Sequence, residues 1–169
     1  ANTMNTRFTE DFDATVQRIV DEKDSITGVV LTSAKKSFFG GGDLKSMIKA
    51  GPADAEDLYE RSMGIKERMR ALETCGVPVV SAINGAALGG GLELALATHH
   101  RVMADARGAK VGLPEVTLGL LPGGGGIVRT VRMFGLAQAV PNVLMSGRSF
   151  APAKALEAGL VDEVVAPEQ

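Results

Sequence analysis

The stretch from Pro78 to Ala97 constrains the fold more than any other part of the chain. It starts with a mostly apolar run, Val79 to Ile83, passes through a glycine-rich turn and ends in an apolar segment that begins near Gly90. Strands that are apolar on both faces are typical of parallel sheets covered by helices. A glycine-rich connection from such a strand to a helix leaves the first helical amides free of side chains. The stretch therefore predicts an α/β fold in which one turn is open to a ligand.

The rest of the chain repeats this alternation of strand and helix. Apolar spacing predicts helices at about 6–23, 53–72, 90–98, 125–133, 136–146 and 151–158, and strands at about 28–33, 79–83, 101–105 and 160–165. Thr6 is the expected N-cap of the first helix, and residues 35–43 are expected to form a loop. The second helix is expected to turn five side chains to the core, namely Leu58, Met63, Ile65, Met69 and Leu72. A length of 169 residues fits one domain, so the pattern indicates a single α/β domain with largely parallel pairing.

Composition excludes several classes of function. The net charge of −2 argues against nucleic-acid binding, which favours a strongly basic face. No signal peptide is evident, and no stretch reaches the roughly 20 apolar residues of a membrane span. Cys75 is the only cysteine, which excludes a disulfide framework and indicates a reducing compartment, so we expect a cytoplasmic protein. His99 and His100 are adjacent and would point to opposite faces of a strand, so we expect no metal site.

The first of two glycine turns that could contact a ligand runs from Phe38 to Asp43 and contains three successive glycines, Gly40 to Gly42. Glycine lets a backbone approach a ligand closely and adopt a positive φ. The uncovered amides of such a turn can receive an anion or a carbonyl oxygen. Taken alone, the segment fits a flexible surface turn equally well.

The second glycine turn, Leu88 to Gly91, is followed closely by Glu93 at the start of the expected helix. Free amides and the helix dipole suit a developing oxyanion there. Glu93 is then either a partner of the dipole or a catalytic group near the ligand. A dinucleotide fingerprint is disfavoured because the G-x-G start is absent, and a Walker phosphate loop because Leu92-Glu93 stands where Lys-Ser/Thr is required.

A second carboxylate, Glu115, lies in an apolar segment between Val111 and Leu121. In such surroundings a carboxyl is either paired or has its pKa raised by desolvation, which suits a general acid or base. The alternative is a partly exposed glutamate at a strand end. The four glycines from Gly123 to Gly126 either pack closely at a helix start or contribute an amide to the site.

In combination these segments resemble the crotonase (enoyl-CoA hydratase/isomerase) superfamily, most closely the hydratase domain of actinobacterial multifunctional fatty-acid β-oxidation α-subunits. The resemblance covers nearly the whole chain. It rests on Phe38 to Asp43, Pro78 to Glu93, Leu113 to Gly123, and Gly147-Arg148 with Ala153 to Val161. The implied fold is α/β, a ClpP/crotonase-like spiral of β-β-α turns, with residues 1–169 forming its catalytic core.

The resemblance also assigns roles to individual positions. Gly42 and Gly90 would provide the two oxyanion amides, Glu93 and Glu115 the catalytic carboxyls, and the amide of Gly123 would lie near the reacting water. The coenzyme A moiety would be lined by Gly40, Gly42, Asp43, Leu44 and Lys45. Neither a metal nor a cofactor is implied, because coenzyme A enters as part of the substrate.

The implied activity is syn addition of water to a trans-2-enoyl-CoA, giving a 3-hydroxyacyl-CoA in fatty-acid β-oxidation. Simple isomerases of the superfamily often keep one acid, whereas Glu93 and Glu115 are both present. An enoyl-CoA isomerase or another thioester-enolate enzyme is the alternative within the superfamily. A non-catalytic acyl-CoA-binding or assembly subunit is the alternative from another class.

The chain departs from the superfamily pattern in three places. Its first strands are expected to be missing, with Ala1 to Thr3 as the stretch that ends them, and so are the helices after Gln169 that usually complete the acyl pocket and the trimer. We therefore expect a fragment of a longer chain that forms a homo-oligomer, a trimer or hexamer. The third departure is His99, which stands where relatives often have Asp and is expected to alter a structural hydrogen bond.

Overall fold

The computed structural model describes residues 2–168, apart from the side chains of Lys45 and Ser46; Ala1 and Gln169, named in the expectations above, lie outside that range. The α-helices are α1 (Thr6–Glu22), α2 (Leu44–Met47), α3 (Ala55–Glu73), α4 (Gly90–Leu96), α5 (Gly126–Phe134), α6 (Leu136–Ala139) and α7 (Pro152–Glu157). The strands are β1 (Val29–Leu31), β2 (Val79–Ile83), β3 (Ala87–Leu88), β4 (His100–Ala104), β5 (Val111–Gly112), β6 (Ser149–Phe150) and β7 (Glu163–Val165). Short 3-10 helices span Pro52–Asp54 and Glu115–Leu118, and a π-helical stretch spans Val140–Leu144.

Two sheets organise the molecule. The larger is fully parallel, with strand order β1-β2-β4-β7 and with Val29 opposite Val79. The smaller has the order β3-β5-β6, in which β3 and β5 are parallel and β5 and β6 antiparallel. Val79, Ser81 and Ile83 of β2 are almost fully buried, because this strand is central and covered on that face.

Successive chain segments repeat one β-β-α unit. In β2-β3-α4 and again in β4-β5-α5, the first strand joins the large sheet, the second joins the small sheet, and a helix follows. An earlier unit has β1, a single bridge between Phe39 and Ala87, and α3. The predicted α/β spiral of β-β-α turns is therefore confirmed. It places the turns after β3 and β5 at one end of the molecule, because the strands of each pair are parallel.

Helix α1 holds the first glycine turn against this core. Its apolar face buries Phe12, Val16 and Ile19. The ring of Phe8 meets the ring of Phe39 edge-on, with centroids 4.8 Å apart, and Phe39 directly precedes the glycines. Such aromatic pairs add to the stabilisation from burial, so the turn has a rigid base.

Local structure corrects two expectations. Asn5, not Thr6, caps α1, because its backbone is extended and its side-chain oxygen accepts from the Phe8 amide at 2.9 Å. Leu58 does not face the core and is 40% exposed. It lies in the first part of α3, residues 55–61, all of which are exposed to solvent. Met69 and Leu72, near the end of the same helix, are buried as predicted.

Other differences come from short elements. The three strands of the small sheet, each two residues long, were not predicted, because two residues show no periodicity. The helix predicted at 136–146 is α6 followed by the π-helical stretch, in which Pro141 has no amide to donate. Among the described helices, none is both long and apolar enough to cross a membrane.

Candidate active site

The two predicted glycine turns lie directly against each other. The Leu88 amide donates to the Phe39 carbonyl at 3.1 Å, and the Phe39 amide donates to the Ala86 carbonyl at 3.0 Å. A side chain at Gly41, where φ is +93°, would place its Cβ 2.8 Å from the Leu88 carbonyl oxygen. A Cβ at Gly91 would lie 2.3 Å from the Phe39 carbonyl oxygen. Glycine is therefore required at both positions for the turns to touch.

This contact brings together the two glycines expected to form an oxyanion site. Gly90 is the first residue of α4, where helical geometry provides no partner for its amide. Among the described residues, no group accepts from the amide of Gly42 or of Gly90. A Cβ on Gly41, the neighbour of Gly42, would lie only 3.4 Å from the Gly90 amide nitrogen. The structure thus places two available amides at one junction.

Glu93 projects from the first turn of α4 into a buried position and is 3% exposed. Its Oε1 accepts from the amides of Gly124 and Gly126, both at 2.8 Å. A Cβ at Gly124 would lie 2.9 Å from Oε2, and one at Gly126 would lie 3.0 Å from Oε1. The turn at residues 123–126 thus fits closely around the carboxyl, and we call it the glycine clamp.

Glu115 lies at the start of a 3-10 helix, beside the second glycine turn. A Cβ at Gly89 would lie 2.9 Å from Glu115 Oε1. Its Oε2 is buried and has no hydrogen-bond partner among the described residues. A buried polar atom without a partner in a native structure points to a catalytic role or to a ligand.

Burial raises the pKa of both carboxyls, but their neighbours differ. For Glu115, burial and the charge of Glu93 together raise the pKa to about 7, and only its own backbone amide opposes them. For Glu93, burial also raises the pKa, while the Gly126 and Gly124 amides and the charges of Arg129 and Lys66 counteract it. Two close carboxyls rarely ionise together. Glu93 has the donors that favour an ionised oxygen, whereas Glu115 is suited to keep a proton near neutral pH.

Arg129 on α5 contacts the backbone of the glycine clamp. Its side chain is 12% exposed, its Nη1 donates to the Gly124 carbonyl at 3.2 Å, and its Nε lies 3.4 Å from Oε1 of Glu73. Sequence reasoning missed this role of Arg129. The amides of Gly124 and Gly126 were anticipated only as one of two readings of the four glycines. The sequence contained one signal of this contact, because Arg129 lies about one helical turn after Gly125 and Gly126.

The remaining predicted residues are placed as follows. Gly40 is exposed, and its amide donates to the Asn2 carbonyl at 2.8 Å. Asp43 and Leu44 lead into α2, and Leu44 is 45% exposed; the side chain of Lys45 lies outside the described part of the chain. Gly123, the first residue of the glycine clamp, is exposed, and its carbonyl accepts from Ser62 Oγ at 3.4 Å.

His99 contacts Glu73, the residue that pairs with Arg129. Its Nδ1 accepts from the Val79 amide at 2.9 Å, and its Nε2 lies 3.1 Å from the Glu73 carbonyl oxygen. These partners assign the proton to Nε2. His99 therefore makes a structural hydrogen bond with the first residue of β2.

The fold and the site define an α/β protein with two available amides where two glycine turns meet, and beside them one buried and one partly buried carboxyl. The sequence pattern of the enoyl-CoA hydratase/isomerase family matches residues 1–169, and the chain belongs to this family.

The chain is also similar to proteins described as subunits of a fatty acid oxidation complex. The fatty acid oxidation complex subunit alpha of Shewanella loihica is 52% identical over 141 residues, which are 83% of this chain and 20% of that protein. The protein of the same description from Idiomarina loihiensis is 43% identical over 166 residues, which are 97% of this chain and 23% of that protein. The chain thus spans less than a quarter of the length of these relatives.

Solved structures agree with the fold. A crystal structure of an enoyl-CoA hydratase from Bacillus anthracis has a TM-score of 0.87 and 34% identity, over 98% of this chain and 62% of that one. An enoyl-CoA hydratase from Thermoplasma volcanium has a TM-score of 0.81 and 30% identity, over 96% of this chain and 62% of that one.

Proposed function

We propose that this chain is the hydratase unit of a fatty-acid oxidation enzyme, which adds water syn to a trans-2-enoyl-CoA and forms a 3-hydroxyacyl-CoA. The family, the fatty acid oxidation relatives and the hydratase structures support this proposal. The observation that carries it is the pair of differently held carboxyls, Glu93 and Glu115, beside the junction of the two glycine turns.

The amides of Gly42 and Gly90 would receive the thioester carbonyl oxygen. Negative charge develops on this oxygen when water attacks C3, because the electrons of the double bond move towards the carbonyl. Donors that are already oriented stabilise such a charge by about 3–4 kcal/mol each. The requirement for glycine at positions 41 and 91 supports this role, since it brings the turns close enough to contribute one amide each.

Glu93 and Glu115 would then divide the proton transfers. Ionised Glu93, oriented by the glycine clamp, takes a proton from water as the oxygen bonds to C3. Neutral Glu115 gives its proton to C2, and transfer of the proton from Glu93 to Glu115 restores the starting state. The pKa of Glu115, about 7, fits a group that gives and regains a proton near neutral pH.

The same proposal includes the substrate contacts and the assembly. Gly40, Gly42, Asp43, Leu44 and Lys45 would line the coenzyme A moiety, and Gly123 would orient the water. No cofactor beyond the coenzyme A of the substrate is required for this chemistry. A homotrimer or hexamer in the cytoplasm is also proposed, and free, buried Cys75 supports a reducing compartment.

The test uses the full-length protein with Glu93→Gln and Glu115→Gln. Each change should lower kcat for hydration of crotonyl-CoA by about 10²–10⁴-fold, because general acid and base groups contribute this much. Binding of saturated butyryl-CoA, measured by calorimetry, should change less than about threefold, because the amides that hold the thioester are intact.

Glu157→Gln is the matched control, because among the described residues this exposed glutamate pairs with Lys154 alone, at the surface. Full hydration activity in either active-site variant would refute the proposal. A wild-type enzyme that converts 3-enoyl-CoA but does not hydrate 2-enoyl-CoA would show an isomerase instead. Binding of the thioester without any turnover would show a binding subunit.

A further inference from the structure

The glycine clamp needs an external support. Four successive glycines have more backbone freedom than any other tetrapeptide, so ordering them is entropically costly. Only when ordered does this turn direct the amides of Gly124 and Gly126 at the same oxygen of Glu93.

Arg129 meets this need at the centre of the turn. The Gly124 carbonyl, to which its Nη1 donates, lies in the chain between the two amides that hold Glu93. A Cβ at Gly125, where φ is +108°, would lie 2.3 Å from this Nη1, so the guanidinium is packed against the backbone of the turn. Arg129 thus holds the short stretch of backbone that links the Gly124 and Gly126 amides.

Glu73, at the end of α3, anchors Arg129 in turn. Its Oε1 lies 3.4 Å from Arg129 Nε, while its Oε2 accepts from Arg70 Nη1 at 2.8 Å. Partial burial raises the pKa of Glu73, but the hydrogen bond from Arg70 and the charge of Arg129 outweigh it, and the net pKa is lowered. An ionised Glu73 is therefore available to hold the guanidinium.

We propose that Arg129, anchored by Glu73, is a positioning residue that orders the glycine clamp and thereby orients Glu93 for its reaction. This inference rests on the proposed hydration by Glu93 but goes beyond it, because Arg129 acts through the Gly124 carbonyl and not through substrate.

The charges around Glu93 give this role a measurable signature. Arg129 from α5 and Lys66 from α3 favour its ionised form, and Glu115 beside the second glycine turn is coupled to it. Removing the guanidinium takes away one of the two cations. The pKa of Glu93 should then rise for two reasons: the charge is lost, and a disordered clamp no longer directs its two amides at the carboxylate.

Arg129→Met and Arg129→Lys in the full-length protein separate position from charge. For Arg129→Met we expect kcat for crotonyl-CoA hydration to fall about 10–100-fold with KM within about threefold, as for a misplaced catalytic group. The acidic limb of its pH–rate profile should move to higher pH, because both the charge and the ordered amide donors are lost. For Arg129→Lys, kcat should fall about tenfold and the limb should move up less, since an ammonium keeps the charge but loses the planar fork that holds the clamp.

Arg18→Met is the control, because exposed Arg18 pairs with Glu22 on its own helix, α1, and not with Glu73 or the clamp. It should retain wild-type kcat and the wild-type pH profile. If Arg129→Met does not fold, Arg129→Lys and Glu73→Gln are decisive, because both should lower kcat in a protein that unfolds at a near-normal temperature. Unchanged kcat and pH profile in the folded Arg129 variants would overturn the inference.

A readout without turnover separates this inference from the proposed function. The Glu93 carboxyl can be titrated by carbon NMR, with its resonance assigned through Glu93→Gln. A higher Glu93 pKa in Arg129→Lys, where the positive charge is kept, supports the positioning role even if the wild type does not hydrate crotonyl-CoA. An unchanged pKa in an active enzyme refutes the positioning role and leaves the hydratase proposal intact.

Discussion

The surroundings of Glu93 and Glu115 differ in how many backbone groups reach each carboxyl. Glu93 is 3% exposed and receives two amide hydrogen bonds at 2.8 Å, from a turn that is itself held by Arg129. Glu115 is partly exposed, lies against Gly89, and has an Oε2 without a partner among the described residues. Both have a raised pKa, mainly because of burial.

The difference shows how one small site obtains two unlike carboxyls. Donors on one oxygen fix the geometry of Glu93 and favour its charge, which suits a base that must meet water at one angle. The lack of donors leaves Glu115 near its neutral form and free to transfer a proton. Unlike surroundings, rather than unlike residue types, create the division.

Gly124→Ala is expected to have the largest effect on the difference between the two carboxyls. The added Cβ would lie 2.9 Å from Glu93 Oε2 and 3.2 Å from its carboxyl carbon, so either the clamp or the carboxylate must move. We expect kcat for hydration to fall about 100-fold, in line with displacement of a catalytic group by about 1 Å. Gly51→Ala is the control, since its Cβ would meet nothing closer than 4.0 Å. Equal activity of the two variants would show that the clamp does not matter.

A smaller effect is expected on stability from Glu115→Gln. The folded-state pKa of about 7 lies above the usual 4.5. The folded protein therefore holds this proton more tightly than the unfolded chain does. This stabilisation is complete below about pH 4.5 and is lost as pH rises through about 7. Glutamine has no proton to lose, so the variant should gain on the wild type as pH rises from about 5 to 8.

The gain should be of the order of 1 kcal/mol in the free energy of unfolding, after discounting for the exposed part of this carboxyl. Urea denaturation across this pH range measures it. Glu157→Gln, at a fully exposed ion pair, should show no rising trend. A constant difference between Glu115→Gln and the wild type would contradict the raised pKa.

The smallest effect on hydration is expected from His99, which contacts Glu73 and not the clamp. His99→Ala leaves the Val79 amide at the start of buried β2 without its acceptor, which should cost about 1–3 kcal/mol in the free energy of unfolding. His99→Asn supplies an oxygen near the same place and should recover most of that loss. Hydration by both variants should stay within about threefold of wild type, because Arg129 and the clamp are untouched. A large loss of kcat in the folded His99→Asn variant would show that His99 also contributes to the orientation of Glu93.

Part of this site could be predicted from sequence. The glycine turns and the two glutamates were all identified, because glycine clusters and acids in apolar segments are local features. The glycine clamp was less predictable, since Gly124 and Gly126 lie 31 and 33 positions from the carboxyl that they hold. The two-residue strands that set the small sheet were also missed, because their pairing is non-local.

Backbone sterics and apolar periodicity act over a few residues, so the α/β alternation, the two glycine turns and the identity of the two carboxyls follow from local sequence. Folding brings two amides to Glu93 and leaves Glu115 Oε2 without a partner among the described residues. It also brings Arg129 into contact with the Gly124 carbonyl of the clamp. Desolvation and hydrogen bonding depend on groups that folding brings together from distant parts of the chain, and these groups set the pKa and the orientation of each carboxyl.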